Sequence, residues 1–149
     1  MTRSQLRKDA MLAQIGAHMQ AEAENDVETT LNTMSDVPFW EQCTIGVRVE
    51  GREGIRAWYS TVLPNVMLKA TDVRDVRMTW ADNYVVAEHD LDVTFPDGSS
   101  KLCHHIAYYM FDDDGRIAGE RAYCDVELAR IWRECLDDDF FAVPGVSRY

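Results

Sequence analysis

The stretch Gly115–Trp132, "GRIAGERAYCDVELARIW", begins with the period of a β-strand and ends with the period of an α-helix. With a period of two, the residues from Ile117 through Tyr123 to Asp125 share one face of the strand. Beyond Asp125 the apolar residues recur at helical spacing, which predicts a last helix with one apolar face. The stretch therefore places an acid, Asp125, where the last long strand passes into a helix.

Helical spacing also predicts three helices before the main run of strands. The first covers about Ser4 to Ala23, and a break at Asn25-Asp26 starts a short second helix that either residue could cap. The third is "GREGIRAWYSTVLP", which Pro64 ends. The apolar faces of the first and third helices comprise Leu12, Ile15, Met19 and Ala23, and Ile55, Trp58, Tyr59 and Val62.

Most of the remaining sequence predicts β-strands. "PFWEQCTIG" has the pattern of a strand, and "VRVEG" continues it as a hairpin or an irregular arm. Four later runs are separated by turns at Asp82-Asn83, "PDGS" and "DDDG". The expected fold is α+β: a cone-shaped, curved antiparallel sheet wrapped by the three N-terminal helices, with a short C-terminal helix. Pockets tend to lie in the open mouth of such a cone.

The length of 149 residues predicts one domain. We expect this domain to cover residues 1–136 and the C-terminal tail to cover residues 137–149. The tail carries Phe140, Phe141 and Tyr149 beyond an acidic run. Such tails are often frayed, but the paired phenylalanines also suit docking over a pocket or against a partner subunit.

Composition and charge narrow the function. The net charge of −11 argues against nucleic acid and against an anionic membrane surface, since both need basic residues. No signal peptide and no membrane span of about 20 apolar residues is found. The four cysteines lack CxxC spacing, and the histidines form no HxxxH or HxH pair. We therefore expect reduced thiols, a cytoplasmic protein and no metal site.

Histidines supply the candidate acid–base groups on two of the strands. In the run Val85–Phe95, His89 is the single polar residue on an apolar face, opposite an acidic face. In "KLCHHIAYYMF", His104 and His105 point to opposite faces, and neither face is clearly polar. The larger aliphatic residues beside His104 favour His104 inside. Because both faces of Lys101–Phe111 look buried, a homodimer through the sheet is also expected.

Asp125 has two possible roles in this pattern. As an N-cap, its carboxylate accepts hydrogen bonds from the first amides of the last helix. As a catalyst, it lies at the rim of the cone, where desolvation raises its pKa towards a value suited to proton transfer. Tyr123, on the same face, could donate a hydrogen bond to a developing oxyanion.

Three segments, "GREGIRAWYSTVL", "FDDDGRI" and "ERAYCDVELARIW", resemble the SnoaL-like members of the nuclear transport factor 2-like superfamily. These include polyketide cyclases, limonene-epoxide hydrolases and, more distantly, ketosteroid isomerase and scytalone dehydratase. The resemblance covers the chain from about Leu12 to Cys135. It implies the cone fold and a hydrophobic cavity, but the superfamily hosts many activities.

The resemblance also implies roles for individual residues. Asp125 falls where the cyclases and epoxide hydrolases keep an acid–base aspartate after an aromatic residue, here Tyr123. The epoxide hydrolases also use an arginine and a second aspartate, with a tyrosine and an asparagine on the first strand. In this sequence the arginine position falls on Glu88 or His89, and the second acid is Asp90 or Asp92. The first-strand positions are Trp40 and Gln42, so the epoxide-hydrolase set is incomplete.

Together these observations predict an enzyme without a cofactor that acts by general acid–base catalysis on a small hydrophobic cyclic substrate. Cyclisation, isomerisation and dehydration are the leading reactions, and epoxide hydrolysis is the alternative. Asp125 would transfer the proton with His89 as its partner, and His104 and Tyr123 would bind or polarise a substrate oxygen. The expected substrate-binding residues are Trp40, Gln42, Trp58 and Tyr108.

Two other classes of protein fit the same sequence. The first is a module that binds a hydrophobic ligand without catalysis. The second is a structural dimer module whose cavity is filled by its own side chains, such as Phe140 and Phe141. An enzyme needs Asp125 and a histidine to converge on one open cavity, whereas neither of the other classes does.

Overall fold

A computed structural model describes residues 3–66, 70–95 and 97–149. The helices are α1 (Arg3–Ala23), α2 (Val27–Asn32), α3 (Gly51–Asn65), α4 (Val126–Cys135) and α5 (Asp138–Phe141). The strands are β1 (Met34–Gln42), β2 (Val47–Glu50), β3 (Ala70–Trp80), β4 (Tyr84–Thr94), β5 (Ser100–Phe111), β6 (Ile117–Cys124) and β7 (Val146–Arg148). The fold is α+β, as the sequence predicts. No helix in the described ranges is both long and apolar enough to cross a membrane.

Local sequence signals explain where the second and third helices begin and end. Asp26 caps α2, because its carboxylate accepts a hydrogen bond from the amide of Thr29 at 3.0 Å. In α3 the predicted apolar face is buried against the sheet. Pro64 lies inside the last turn of α3 rather than ending it, and the amide of Val66 closes that turn on the carbonyl of Val62 at 2.7 Å.

The strands form one curved sheet in the order β3-β4-β5-β6-β1-β2-β7. Strands β3 to β6 make the antiparallel meander that the turn signals predict. The expectation of a wholly antiparallel sheet needs one correction, since β1 runs parallel to β6, with Trp40 opposite Glu120. No tight turn joins these two strands, so hairpin geometry does not fix the direction of β1 relative to β6. Pro96, predicted in the β4–β5 turn, lies outside the described residues.

A shift of register in β6 changes which residues face the helices. Met110 pairs with Gly119, but the next residue, Phe111, pairs with Ile117, so Ala118 is an extra residue in β6. The strand alternation therefore restarts after Ala118, and Glu120 points inward. The face that runs from Ile117 to Asp125 in a regular strand is split by this irregularity.

The C-terminal tail is docked on its own chain. Phe140 is buried against Trp58, with ring centroids 6.2 Å apart. Strand β7 then pairs antiparallel with β2 and extends the sheet at that edge. Gly145 permits this path, because it has a φ of +84° and a Cβ there would clash with the carbonyl oxygen of Glu50. The tail thus covers the end of the core beside β2.

The two faces of β5 differ more than the sequence indicates. Cys103, Ala107 and Tyr109 are buried on the concave face, against the helices. On the convex face, Leu102 is 43 % exposed and Ile106 is 37 % exposed in the single chain. The concave face alone is covered within one chain, and the convex face leaves apolar side chains in contact with solvent.

Candidate active site

A cavity of about 190 Å³ lies between α1, the end of α3, α4 and the concave face of the sheet. A smaller cavity of about 70 Å³ shares five residues with it and extends towards β1 and β6. The larger cavity is lined by Met19, Glu22, Ala23, Val66, His89, Leu91, His105, Tyr109, Leu128 and Trp132. The smaller cavity adds Trp40, Trp58, Tyr59, Val62, Leu63 and Glu120.

Four polar side chains meet at the inner end of these cavities, and we call them the acidic cluster: His18, Glu22, Tyr59 and Glu120. His18 Nε2 lies 3.0 Å from Glu120 Oε1 and 3.3 Å from Glu22 Oε1. The hydroxyl of Tyr59 donates to Glu120 Oε1 at 3.0 Å. Glu120 is only 4 % exposed, whereas Glu22 is half-buried and lines both cavities. The cluster thus presents one carboxylate to the larger cavity and holds the other in the interior.

His18 carries the positive charge that balances this cluster. Its Nδ1 lies 2.6 Å from Thr33 Oγ1, whose own proton is donated to the carbonyl of Thr30. Nδ1 is therefore the donor to Thr33. Burial by itself lowers the pKa of His18, but the charges of Glu120 and Glu22 outweigh burial and raise that pKa to about 10. His18 is consequently an imidazolium at neutral pH.

Tyr59 keeps its proton in the same surroundings. Burial, together with the negative charges of Glu120 and Glu22, raises the pKa of Tyr59 well above its ordinary value. The phenol is therefore a hydrogen-bond donor to Glu120 and not a second anion.

The ligand atoms of His18, Glu22 and Glu120 lie within 4.8 Å of one another, a spacing that would also suit a metal ion. The hydrogen bonds described above, however, are complete with a proton on Nε2 of His18. A doubly protonated imidazole donates to Thr33 on one side and to the carboxylates on the other. A proton on Nε2 of His18 therefore satisfies the hydrogen bonds of this cluster.

Two stacked histidines form the opposite wall of the larger cavity. The rings of His89 and His105 have centroids 5.8 Å apart and planes inclined by 25°. Burial, with a contribution from His89, lowers the pKa of His105 to about 3. His105 is therefore neutral at pH 7 and brings no charge to the cavity.

Three of the residues predicted for the site lie on these cavities. His89 lines the larger cavity, and Trp40 and Trp58 line the smaller one. The rings of the two tryptophans pack against each other with centroids 4.4 Å apart and planes inclined by 32°, so they form an apolar wall of the smaller cavity.

The expectation that His104 faces the cavity was wrong, and His105 takes that place. The side chain of His104 is 62 % exposed on the convex face, with Nδ1 2.7 Å from Asp90 Oδ1. The aliphatic residues beside His104 were misleading because they remain exposed on that face. Tyr123 and Tyr108 also lie there, in contact with each other at 6.2 Å between centroids.

Asp125 and Gln42 line neither cavity. The carboxylate of Asp125 makes no capping bond to α4; instead it accepts from the backbone amide of His104 at 2.8 Å. Asp125 therefore links β5 to the start of α4. Gln42 is fully buried, accepts from the amide of Thr44 at 3.0 Å and donates to Cys124 Sγ at 3.6 Å.

Sequence reasoning missed the whole acidic cluster except Tyr59, which it assigned to the apolar face of α3. One signal was present: His18 and Glu22 are four residues apart and so lie on the same face of α1. Glu120 carried no such signal, because the extra residue at Ala118 moves the side chain of Glu120 to the opposite face of β6 from the one that regular alternation predicts.

Several known structures have a fold similar to that of this chain. An NTF2-like protein of unknown function from Cytophaga hutchinsonii is 18 % identical over 77 % of this chain and 99 % of its own, with a TM-score of 0.62. A steroid delta-isomerase from Pseudomonas aeruginosa is 17 % identical over 84 % of this chain and 87 % of its own, with a TM-score of 0.65. The chain has the nuclear transport factor 2-like fold.

A third structure with this fold is SalBIII, an epoxide hydrolase/cyclase-like enzyme of pyran ring formation in the polyether salinomycin. It is 15 % identical over 85 % of this chain and 96 % of its own, with a TM-score of 0.64. No protein-family model and no curated protein matches the sequence. Identities this low establish the nuclear transport factor 2-like fold, and the activity has to be argued from the site.

Proposed function

We propose that this protein is an enzyme that transfers protons on a small hydrophobic cyclic molecule, as an isomerase, cyclase or dehydratase. One observation carries the proposal: Glu22 and the neutral His105 line the same apolar cavity. Reactions of this kind need only a positioned acid and base, which supply roughly 10²–10⁴-fold per group, and no cofactor. The steroid delta-isomerase and the epoxide hydrolase/cyclase-like enzyme show that the fold can support such chemistry.

Glu22 replaces Asp125 as the proposed proton-transfer residue. Asp125 does not line the cavity, whereas Glu22 lines both the larger and the smaller cavity. His18 holds the carboxylate of Glu22 from one side, at 3.3 Å, and leaves its other oxygen for a substrate. Glu120 and Tyr59 act through His18, so they are positioning residues.

The proposed isomerisation returns Glu22 to its starting state. In a cyclic ketone with a C=C bond one carbon away from the carbonyl group, the carboxylate takes a proton from the carbon between the two groups, and the electron pair of that C–H bond forms a C=C bond to the carbonyl carbon while the oxygen becomes a dienolate. The carboxylic acid then gives the proton to the far carbon of the original C=C bond, so that the C=O bond forms again and the C=C bond ends next to it. Cyclisation or dehydration uses the same first proton transfer and differs in the bond that forms or breaks afterwards.

Deuterium exchange into cyclohexanone tests the proton transfer without knowledge of the natural substrate. In D₂O we expect the protein to accelerate exchange of the α-protons, measured by proton NMR. Glu22→Gln should lower this acceleration by about 10²–10⁴-fold, because an amide cannot accept the proton. The matched control is Glu24→Gln, an exposed glutamate two residues further along the chain, which should leave the rate unchanged.

Two results would contradict the proposal. If Glu22→Gln exchanges as fast as the wild type, another group transfers the proton. If cyclohexanone binds and no exchange is accelerated, the cavity is that of a binding module. The apolar lining of the cavity favours the binding module as the second candidate function.

We further propose that a second copy of the chain packs on the convex face of the sheet, where Leu102, Ile106 and Tyr123 are exposed. Ile106→Asp should raise the dimer dissociation constant at least tenfold, about 1.4 kcal/mol, because it places an unpaired charge in the interface. Sedimentation equilibrium measures this constant. Val126→Asp, at an exposed apolar residue of α4, is the control and should leave it unchanged. A wild type that is monomeric at all concentrations would contradict the proposal.

The cysteines suit a reducing compartment such as the cytoplasm. All four are free thiols in the structure. Burial raises the pKa of Cys124 to about 12, so its thiol is unreactive at neutral pH. We therefore keep a cytoplasmic location as part of the proposal.

A further inference from the structure

Two buried nitrogen atoms beside the larger cavity have no hydrogen-bond partner among the described residues. They are Nε2 of His105 and Nε1 of Trp132. The large majority of buried side-chain polar atoms in proteins are hydrogen-bonded, so each exception calls for an explanation. The two side chains touch edge to face, with ring centroids 5.7 Å apart, and both line the larger and the smaller cavity.

We infer that His105 and Trp132 bind one oxygen atom of the substrate, and that the substrate is therefore an uncharged ring carrying a carbonyl oxygen. This inference rests on the proposed function, since it names the substrate class of the same cavity. The indole N–H of Trp132 can only donate, so the atom that it binds has to be an acceptor. Nε2 of His105 donates to the same acceptor when the neutral imidazole carries its proton there.

The charges around the cavity favour a neutral ligand over a carboxylate. Neither Trp132 nor the neutral His105 supplies a positive charge to bind an anion. Glu22 lines the same cavity and repels anions, while the buried imidazolium of His18 is already paired with Glu22 and Glu120. A cationic ligand would leave the indole N–H without an acceptor. A neutral carbonyl compound satisfies the indole N–H and meets no like charge.

The same two groups would stabilise the reaction proposed for Glu22. As the proton moves to Glu22, negative charge develops on the carbonyl oxygen of the substrate. Hydrogen-bond donors in a dry cavity stabilise that charge more strongly than the neutral carbonyl group. His105 and Trp132 would therefore act on the oxygen while Glu22 acts on the neighbouring carbon.

A pair of ligands of the same shape tests the inference. Cyclohexanone carries a carbonyl group where methylenecyclohexane carries C=CH₂, so the two differ in the acceptor atom alone. We expect the wild type to bind cyclohexanone about tenfold more tightly, since that ratio corresponds to one good hydrogen bond. In ¹⁵N-labelled protein, cyclohexanone should shift the indole N–H signal of Trp132, which Trp132→Phe assigns by removing it.

Variants separate this role from a structural one. Trp132→Phe keeps an aromatic ring without the N–H, so we expect it to lose the preference for the ketone while it binds methylenecyclohexane within twofold of the wild type. Trp80→Phe is the control: Trp80 packs against the core but does not line either cavity, and its substitution should keep the tenfold preference. His105→Leu should reduce the preference in the same direction as Trp132→Phe.

Each outcome has a defined meaning. Equal binding of the two ligands by the wild type, or binding of neither, overturns the inference, as does an indole signal that does not move. In that case the two nitrogens are served by ordered water. A ketone preference without accelerated deuterium exchange supports the inference and refutes the proposed enzyme. Deuterium exchange that depends on Glu22 without a ketone preference supports the proposed enzyme and overturns the inference.

Discussion

His18→Gln is expected to lower the free energy of unfolding by about 3–5 kcal/mol at pH 7, the usual cost of removing one partner from a buried ion pair. The substitution removes the only positive charge within the acidic cluster. It leaves Glu120, which is 4 % exposed, as a buried carboxylate whose charge is no longer compensated. Urea denaturation with linear extrapolation measures the loss.

The stabilisation that the protonated His18 provides depends on pH, and the direction of this dependence follows from its pKa. The pKa of His18 is about 10 in the folded protein and 6.5 in the unfolded chain, so the folded state binds the proton more tightly. The stabilisation is complete below pH 6.5 and declines as the pH rises towards 10. We therefore expect the wild type to lose stability over this range and the His18→Gln variant to lack this part of the decline.

The control for His18 is an exposed histidine with a carboxylate partner. His104 pairs with Asp90 on the convex face, where exposed ion pairs contribute at most about 1 kcal/mol. His104→Gln should therefore change the free energy of unfolding by no more than that amount. If His18→Gln is as mild as His104→Gln, or if both variants show the same pH dependence as the wild type, the buried imidazolium is refuted.

Phe140→Ala is expected to lower the free energy of unfolding by about 3–5 kcal/mol, the typical cost of a buried Phe→Ala change. Phe140 is 5 % exposed and packs against Trp58, which in turn packs against Trp40 in the wall of the smaller cavity. Its removal leaves a cavity beside Trp58 and Trp40 and weakens the packing of the C-terminal tail against the core. Chemical denaturation of the full-length chain measures the effect.

The neighbouring phenylalanine provides the comparison. Phe141 is half-buried, and its ring is covered by the guanidinium of Arg148 at 3.7 Å. Phe141→Ala should cost about 1 kcal/mol, in the ordinary range for a partly exposed site. A tail that is frayed in solution would make both substitutions neutral, and that result would contradict the docking seen here.

Some features of the structure follow from residues that are close in sequence. Asp26 was one of two candidates for the cap of α2, and the capping bond to Thr29 confirms it. The period of β4 placed His89 on the inner face, where it is buried. In both cases the structure depends on residues within a few positions of each other, so the local sequence pattern is enough to predict it.

Other features depended on how elements pack. The predicted apolar face of α1 was centred on Leu12, Ile15 and Met19, but Leu12 is 47 % exposed and the buried face turns towards Met11 and His18. Because of this small rotation of α1, a prediction based on apolar residues alone does not place His18 and Glu22 on the buried face. A fully buried histidine is stable there because carboxylates from the same helix and from β6 surround it.

The sequence by itself determined the α+β plan, the order of its elements from α1 to α4 and the inward direction of His89, and it limited the cap of α2 to Asn25 or Asp26, because each depends on local period and turn chemistry. The tertiary structure alone decided that His105 and not His104 faces the cavity, since both faces of β5 carry apolar residues and only the packing of the helices selects one. It also decided that Glu120 points inward, through one extra residue in β6. His18, Tyr59 and Glu120 are joined across separations of 41 and 61 residues, and no local pattern encodes contacts at that range.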